Sequence, residues 1–314
     1  MGALHGCQYR NPQAGEMPRL VSPWCNNREV TYPSDSAAPP NPAVVAANQR
    51  VHATLASVYN ETEPHFRPEN RAKVRRRLEQ LSKASPCSER MLDLGCGTGF
   101  LLGLASDLFD RLDGIDATPE MLERVDLTPG NIHLHQGVVE NLPFEDETFD
   151  IVTAYSFIDH LDDHRRVLRE ANRVLRPGGQ LYVDLVPNRS FWDAIYDASE
   201  SSGRPFDHAV EKEIEELVNH EQILHEKFGI APTDWRLAEP AKSEGKGFLA
   251  TELFADAVDA GFEPEIRHEW FLGQAPLMHG TSFEAAEIVD AHLRSLLPVS
   301  GRLFKYLVLT GKKR

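Results

Sequence analysis

Cysteine is scarce in this chain of 314 residues, and the four present are placed so as to exclude a disulfide framework or a zinc site. Cys7 and Cys25 fall in a Pro-rich leader, Cys87 precedes the first expected strand, and Cys96 interrupts a run of glycines. Long apolar runs are lacking as well. Met1 to Leu20 holds no stretch of signal-peptide length, and nothing later approaches the roughly 18 apolar residues of a membrane span, so the expected home is a reducing cytoplasm. Gly6 stands where an N-myristoylation pattern needs Ser or Thr. Basic residues are in deficit: 33 Lys and Arg stand against 48 Asp and Glu, and the net charge of -15 opposes attraction to a phosphate backbone. A nucleic-acid partner is therefore disfavoured. With 41% hydrophobic and 26% charged residues, the chain can bury a full α/β core and carry appendages.

The organisation follows from periodicity and punctuation. Residues 1–42 are rich in Pro, Asn, Ser and Ala without sustained periodicity and read as a mobile leader. From 43 to 90 two helices are expected, Ala43 to Val58 and Pro68 to Leu81, forming an N-terminal helical cap. Residues 91–186 alternate strand and helix: strands at Met91–Leu94, Leu112–Ile115, Ile132–His135, Ile151–Ala154 and Leu181–Leu185, with a turn at Pro177-Gly178-Gly179. Such alternation means a parallel sheet with helices on both faces and a ligand beyond the carboxyl ends of the strands. Residues 187–247 are an insertion with an acidic helix candidate, Asp207 to Lys227, and aromatics at Phe191, Trp192, Tyr196 and Trp235 that could wall a pocket or form a mini-core. Residues 248–314 complete the core with a helix at Thr251–Ala260 and strands at Glu265–Phe271 and Leu303–Thr310.

The chemistry-bearing segment is Met91-Leu92-Asp93-Leu94-Gly95-Cys96-Gly97-Thr98-Gly99-Phe100. A dinucleotide loop would need its third glycine at position 100, which is Phe100. An acidic strand end followed by Gly-x-Gly-x-Gly resembles the class I S-adenosylmethionine-dependent methyltransferases, in their small-molecule type, and the resemblance runs for roughly 90 residues. It implies a Rossmann-like, doubly wound α/β fold: a seven-stranded sheet, mostly parallel with the last strand antiparallel, carrying the N-terminal helical cap and an inserted helical lid. The implied cofactor is S-adenosyl-L-methionine, with S-adenosyl-L-homocysteine as product.

By that resemblance Asp93 lies under the methionine amino end, and Gly95, Cys96, Gly97 and Gly99 pack along methionine and ribose. Glycines let the backbone approach a ligand, and the helix start after them offers free N–H groups. Asp116, 23 positions after Asp93, would accept from the ribose hydroxyls, with Ala117 and Met121 near the adenine. A surface Asp beside a Thr118 cap is the alternative. Relatives commonly carry Asp at the position of Val138; its absence leaves the adenine to Val138, Val139, Gln136 or Glu140. Tyr59 would close over the donor. Tyr155, Asp159 and His160 follow the fourth strand, and His160 is the best base on chemistry alone, although a structural role competes. His133 and His135 share one strand face without a third ligand, so no metal is expected. The basic run Arg71, Lys73, Arg75, Arg76 and Arg77 reads as a solvated helix face.

The leading function is methyl transfer to a small-molecule acceptor, with oxygen favoured over nitrogen or carbon. A non-methyl-transfer enzyme on the same cofactor and an RNA-modifying enzyme are the alternatives. Trp270-Phe271-Leu272 and Phe283 to Leu297 could supply an interface for a homo-oligomer.

Overall fold

A computed structural model describes residues 40–85, 87–200, 222–245, 247–280 and 282–314, together with 211, 213 and 215. All of the leader but its last three residues, and most of the acidic helix candidate, lie outside the described residues.

Seven strands form one sheet: β1 (Arg90–Leu94), β2 (Arg111–Asp116), β3 (Ile132–Gln136), β4 (Phe149–Tyr155), β5 (Leu175–Pro187), β6 (Phe262–Phe271) and β7 (Phe304–Lys313), in spatial order β3-β2-β1-β4-β5-β7-β6. β1 to β5 run parallel, and β7 lies antiparallel between β5 and β6. The order reverses beside β1, so the carboxyl ends of β1, β2 and β4 open onto one crevice. The central strands are buried on both faces, which is why they read as near-continuous apolar runs. Met91 and Ile151 face the layer of α3 (Pro68–Ala84) and α4 (Phe100–Ala105), while Leu92, Leu94 and Val152 face that of α6 (His164–Val174).

Several elements differ from the sequence reading. β5 begins at Leu175 rather than Leu181: Leu175 pairs with Phe149 and Gln180 with Ile151, so the Pro177-Gly178-Gly179 turn is an excursion within one strand. The first helix, α1 (Pro42–Leu55), stops three residues short of Val58, and Tyr59 opens a separate short helix, α2 (Tyr59–Thr62). Asn41 caps α1 by accepting from the Ala43 amide. Thr118 is the N-cap of α5 (Pro119–Leu122), with Pro opening the helix as expected, but its side chain makes no capping bond, and Asp116 Oδ1 accepts from the Thr118 amide. The basic run is not merely solvated, because Lys73 and Arg77 pair with Glu269, Arg77 also with Asp184, and Arg75 with Asp107.

After β5 come α7 (Arg189–Glu200), a helical stretch at 222–228, α8 (Pro232–Ala238) and α9 (Pro240–Gly245). Helices α10 (Ala250–Asp259), α11 (Gln274–Gly280) and α12 (Phe283–Ser295) complete the chain. Phe271 is buried against Phe304, whereas Phe283, Ile288, Leu296 and Val299 are exposed. Among the described residues no helix is long and apolar enough to cross a membrane.

Candidate active site

The crevice at the ends of β1, β2 and β4 is a cleft floored by the glycine loop and roofed by α1. β1 delivers Asp93, which sits opposite Gly114 of β2 and Thr153 of β4 in the parallel register. The Thr153 hydroxyl donates to Asp93 Oδ1 at 2.7 Å. Burial, helped by the charge of Asp116 and opposed by the Thr153 hydroxyl, lifts the Asp93 carboxyl to about 7. A buried carboxyl with one side-chain donor among the described residues is suited to receive a cation.

Gly95 and Gly97 illustrate two different demands for glycine. Gly95 has φ +62° and a Cβ there would also lie 2.1 Å from the Phe157 ring, so packing adds to the backbone demand. Gly97 has φ +51°, and a Cβ would meet nothing within 4 Å. Its open side borders the cleft, leaving room for a ligand against the backbone. The Gly97 amide donates to Asp116 Oδ2 at 2.9 Å and the Thr118 amide to Oδ1 at 2.8 Å, which fixes the carboxylate at the end of β2. The remaining lone pairs are available to hydroxyl donors.

The roof is held by side-chain amides. Gln49 Nε2 donates to the Ala117 carbonyl at 2.8 Å, and Asn48 Nδ2 to the His160 carbonyl at 3.1 Å. From α2, Asn60 Oδ1 accepts from the Thr98 hydroxyl at 2.6 Å. The cap is thus tied to the three loops that follow β1, β2 and β4. Met121, Val138, Val139 and the buried Glu140 line the side below Ala117, and burial raises the Glu140 carboxyl above its usual range. Gln136, the other acceptor offered by the sequence, is exposed and outside the cleft.

Of the residues expected from sequence, Tyr59, Asp93, Gly95, Cys96, Gly97, Asp116, Ala117, Met121, Val138, Val139, Tyr155 and His160 come together around the cleft. Gly99 and Asp159 do not line it. Gly99 packs against Val125 at the N-cap of α4. Asp159 is buried beside Lys242 Nζ at 2.7 Å; the ammonium and the neighbouring His160 hold its carboxyl below the usual range despite burial, leaving it a poor base. Lys242 also reaches Glu239 at 2.8 Å. Asp159, His160 and Glu239 lie close enough to share a metal ion, and the Lys242 ammonium already sits between the two carboxylates. Burial pushes the Tyr155 and Tyr59 phenols far above their ordinary range, so both stay protonated donors. His135 is bonded to Asp113 at 2.9 Å and does not face the cleft; His133 is exposed.

Phe191, Trp192, Tyr196 and Trp235 do not wall the cleft. Trp235 packs with Ala47, Val51 and Leu55 of α1, and Phe191 stacks edge-on with Trp192. The insertion reaches the site through Ala238, whose carbonyl lies 3.0 Å from His160 Nδ1, and through Glu239. Sequence reasoning missed Asn48, Gln49, His52 and His65, while Ser156, a candidate beside Tyr155, does line the cleft. Asn48 and His52 did carry a signal, since they sit on the apolar register of α1 set by Val44, Val51 and Leu55, where a polar residue needs a reason.

Residues 92–183 match the methyltransferase domain family. An uncharacterized methyltransferase of Bacillus subtilis is 36% identical over 115 residues, covering 34% of this chain and 46% of that protein. The demethylmenaquinone methyltransferase of Chlorobaculum parvum is 32% identical over 110 residues, covering 34% and 46%. The 27-O-demethylrifamycin SV methyltransferase of Amycolatopsis mediterranei is 34% identical over 112 residues, covering 32% and 40%. The chain spans less than half the length of these curated relatives. The matched segment carries Asp93, Gly95, Gly97, Asp116 and His160, which line the cleft, and it is this segment, residues 92–183, that is similar to the S-adenosylmethionine-dependent methyltransferases.

Proposed function

We propose that this chain transfers a methyl group from S-adenosylmethionine to a small-molecule acceptor, with a hydroxyl oxygen favoured over nitrogen or carbon. The observation that carries the reading is the convergence of Asp93, Gly97 and Asp116: a buried carboxyl, an open backbone cradle and an anchored carboxylate side by side. Asp93 would hold the donor's ammonium and Asp116 its ribose hydroxyls. Gly95, Cys96 and Gly99 shape the loop, and Ala117, Met121, Val138 and Val139 flank the adenine. Tyr59 and Tyr155 remain neutral donors near the methionine end.

When bound, the sulfonium supplies a methyl carbon already activated for displacement. The protein's part is alignment and exclusion of water. The roof formed by residues 43–90 and the segment 187–247 behind it serve as cap and lid in this reading. Two relatives support a small acceptor by their names, one methylating demethylmenaquinone and one 27-O-demethylrifamycin SV. The net charge of -15 argues in the same direction, away from nucleic acid.

Isothermal titration with S-adenosylhomocysteine tests the cofactor. A screen of hydroxylated small molecules, read by S-adenosylhomocysteine release and product mass, tests the transfer. A bound cofactor with a product lacking the added methyl would establish a different reaction on the same site.

A further inference from the structure

His52 plays no part in the family motifs, yet it stands in the roof of the cleft next to His160. The two rings meet edge to face with centroids 5.0 Å apart, and both line the cleft. Each has its Nδ1 against a main-chain carbonyl: His52 at 2.9 Å from the Asn48 oxygen, His160 at 3.0 Å from the Ala238 oxygen. A carbonyl oxygen only accepts, so both Nδ1 atoms carry the hydrogen. In the neutral rings Nε2 is then a bare lone pair on each. Beyond His160, Glu239 Oε1 lies 3.9 Å from Nε2, and Lys242 holds Glu239 in turn. The carboxylate is placed to stabilise a positive charge on the histidine pair.

Resting on the methyl-transfer reading, we propose that His52 is the proton acceptor for the hydroxyl being methylated, and that Glu239, beyond His160, helps through its charge to hold the positive charge that forms on His52. The proton moves from the acceptor oxygen to His52 Nε2. The oxygen's freed electron pair forms the new bond to the methyl carbon, and the pair of the broken carbon–sulfur bond stays on sulfur, which becomes neutral. The proton stays on His52 Nε2 through the transfer and passes to solvent once the product has left. Burial and the neighbouring His160 hold His52 below the ordinary imidazole range, so it is free to accept at neutral pH. Asp116 and Glu239 act in the opposite direction. Tyr59 and Glu63 from the α2 region, and Asp159 and Lys242 behind Glu239, are the other ionisable groups around the pair.

The substitution that tests this is His52→Asn. The shorter amide can place its NH2 near the position of Nδ1 and keep the bond to Asn48, while Nε2 is lost. Nitrogen-15 imidazole spectra of the intact protein at alkaline pH are expected to show Nδ1–H on both rings, and His160→Asn is expected to raise the pKa of His52. An Nε2–H form of His52 overturns the proposal alone. With phenol and p-nitrophenol as acceptors, His52→Asn is expected to lower kcat for phenol about 100-fold or more. The loss for p-nitrophenol, which ionises unaided, is expected to be much smaller, with S-adenosylhomocysteine affinity unchanged in both cases. Equal losses for the two acceptors, or a loss under threefold, also overturn it. If S-adenosylhomocysteine binds but no hydroxylated acceptor is methylated, the oxygen-transfer reading itself fails, and the base falls with it.

Discussion

Gln49 donates its side-chain amide to the Ala117 carbonyl at 2.8 Å, bolting the roof helix to the loop that follows β2. The bond spans 68 residues and closes the cleft from the side where the ribose and adenine would lie. Gln49→Ala removes one neutral hydrogen bond, about 1 kcal/mol, and fold stability should change by no more than that. The consequence should be larger in exchange kinetics and in ligand binding. Amides over 42–62 should exchange faster, and S-adenosylhomocysteine should bind about fivefold more weakly. Hydrogen exchange with and without the ligand checks both expectations. Unchanged protection over 42–62 would show that the roof is held by its apolar contacts alone.

Gly95 and Gly97 should respond differently to alanine. At Gly97 the methyl meets no protein atom, so the cost is that of a left-handed backbone, about 1–2 kcal/mol, while the methyl protrudes toward the cleft. Gly97→Ala should therefore fold, melt a few degrees lower, and bind S-adenosylhomocysteine at least tenfold more weakly. Gly95→Ala drives a methyl into the Phe157 ring and should be the less stable of the two, with partial recovery on adding Phe157→Leu. Thermal melts of the three variants, with and without ligand, separate packing from binding. Gly97→Ala binding as tightly as the unaltered protein would remove the cradle from the site.

The glycine loop and Asp116 were legible in the sequence because their demands are local: a strand end, a tight turn and a helix start within a few residues. The roof was harder to read. The polar residues of α1 look like an ordinary solvated face until the helix is docked, and only then does the Asn48 amide meet the His160 carbonyl 112 positions away. The insertion left two readings open for the same reason. Trp235 and its neighbours are apolar enough to wall a pocket, but α1 supplies Ala47, Val51 and Leu55 as a surface for them, and burial there satisfies them first. Gly99 and Asp159 matched the expected pattern by position, yet one packs on Val125 and the other is neutralised by Lys242 of the insertion, a residue no local motif announces.

Val138 stands where the family resemblance leads to an expected aspartate, and it lines the cleft beside the buried Glu140. An acceptor added there gives the adenine amino group a partner that an apolar side chain cannot. Val138→Asp should tighten S-adenosylhomocysteine binding by a few-fold up to tenfold, the worth of about one hydrogen bond to a charged group after desolvation. Calorimetry on both proteins decides it. The gain should shrink at low pH, since Glu140 nearby already sits above its usual range and a second carboxylate adds repulsion. Unchanged or weaker binding would mean that Glu140 or the Val139 backbone already serves the amino group.

Asp93 makes the site sensitive to pH, and the sign can be worked out. Its carboxyl in the folded chain lies near 7, raised from an ordinary value near 4. Between those values the folded state binds more protons than the unfolded one, so stability falls as pH rises through the window and is level above it. Each unit of the shift corresponds to about 1.4 kcal/mol. Asp93→Asn, which cannot ionise, should therefore be more stable than the unaltered protein above pH 7 in the absence of ligand, with the difference closing toward pH 4. Binding runs the other way. An ammonium-bearing ligand needs the ionised carboxylate, so S-adenosylhomocysteine affinity should climb by up to tenfold per unit as pH rises toward 7 and then flatten. The asparagine variant should bind weakly with no such slope. Urea unfolding and titration calorimetry across this range test the two halves separately. An asparagine variant that is less stable at pH 8 would show that Asp93 is ionised and satisfied by the protein itself, and that its place beneath the cleft is structural.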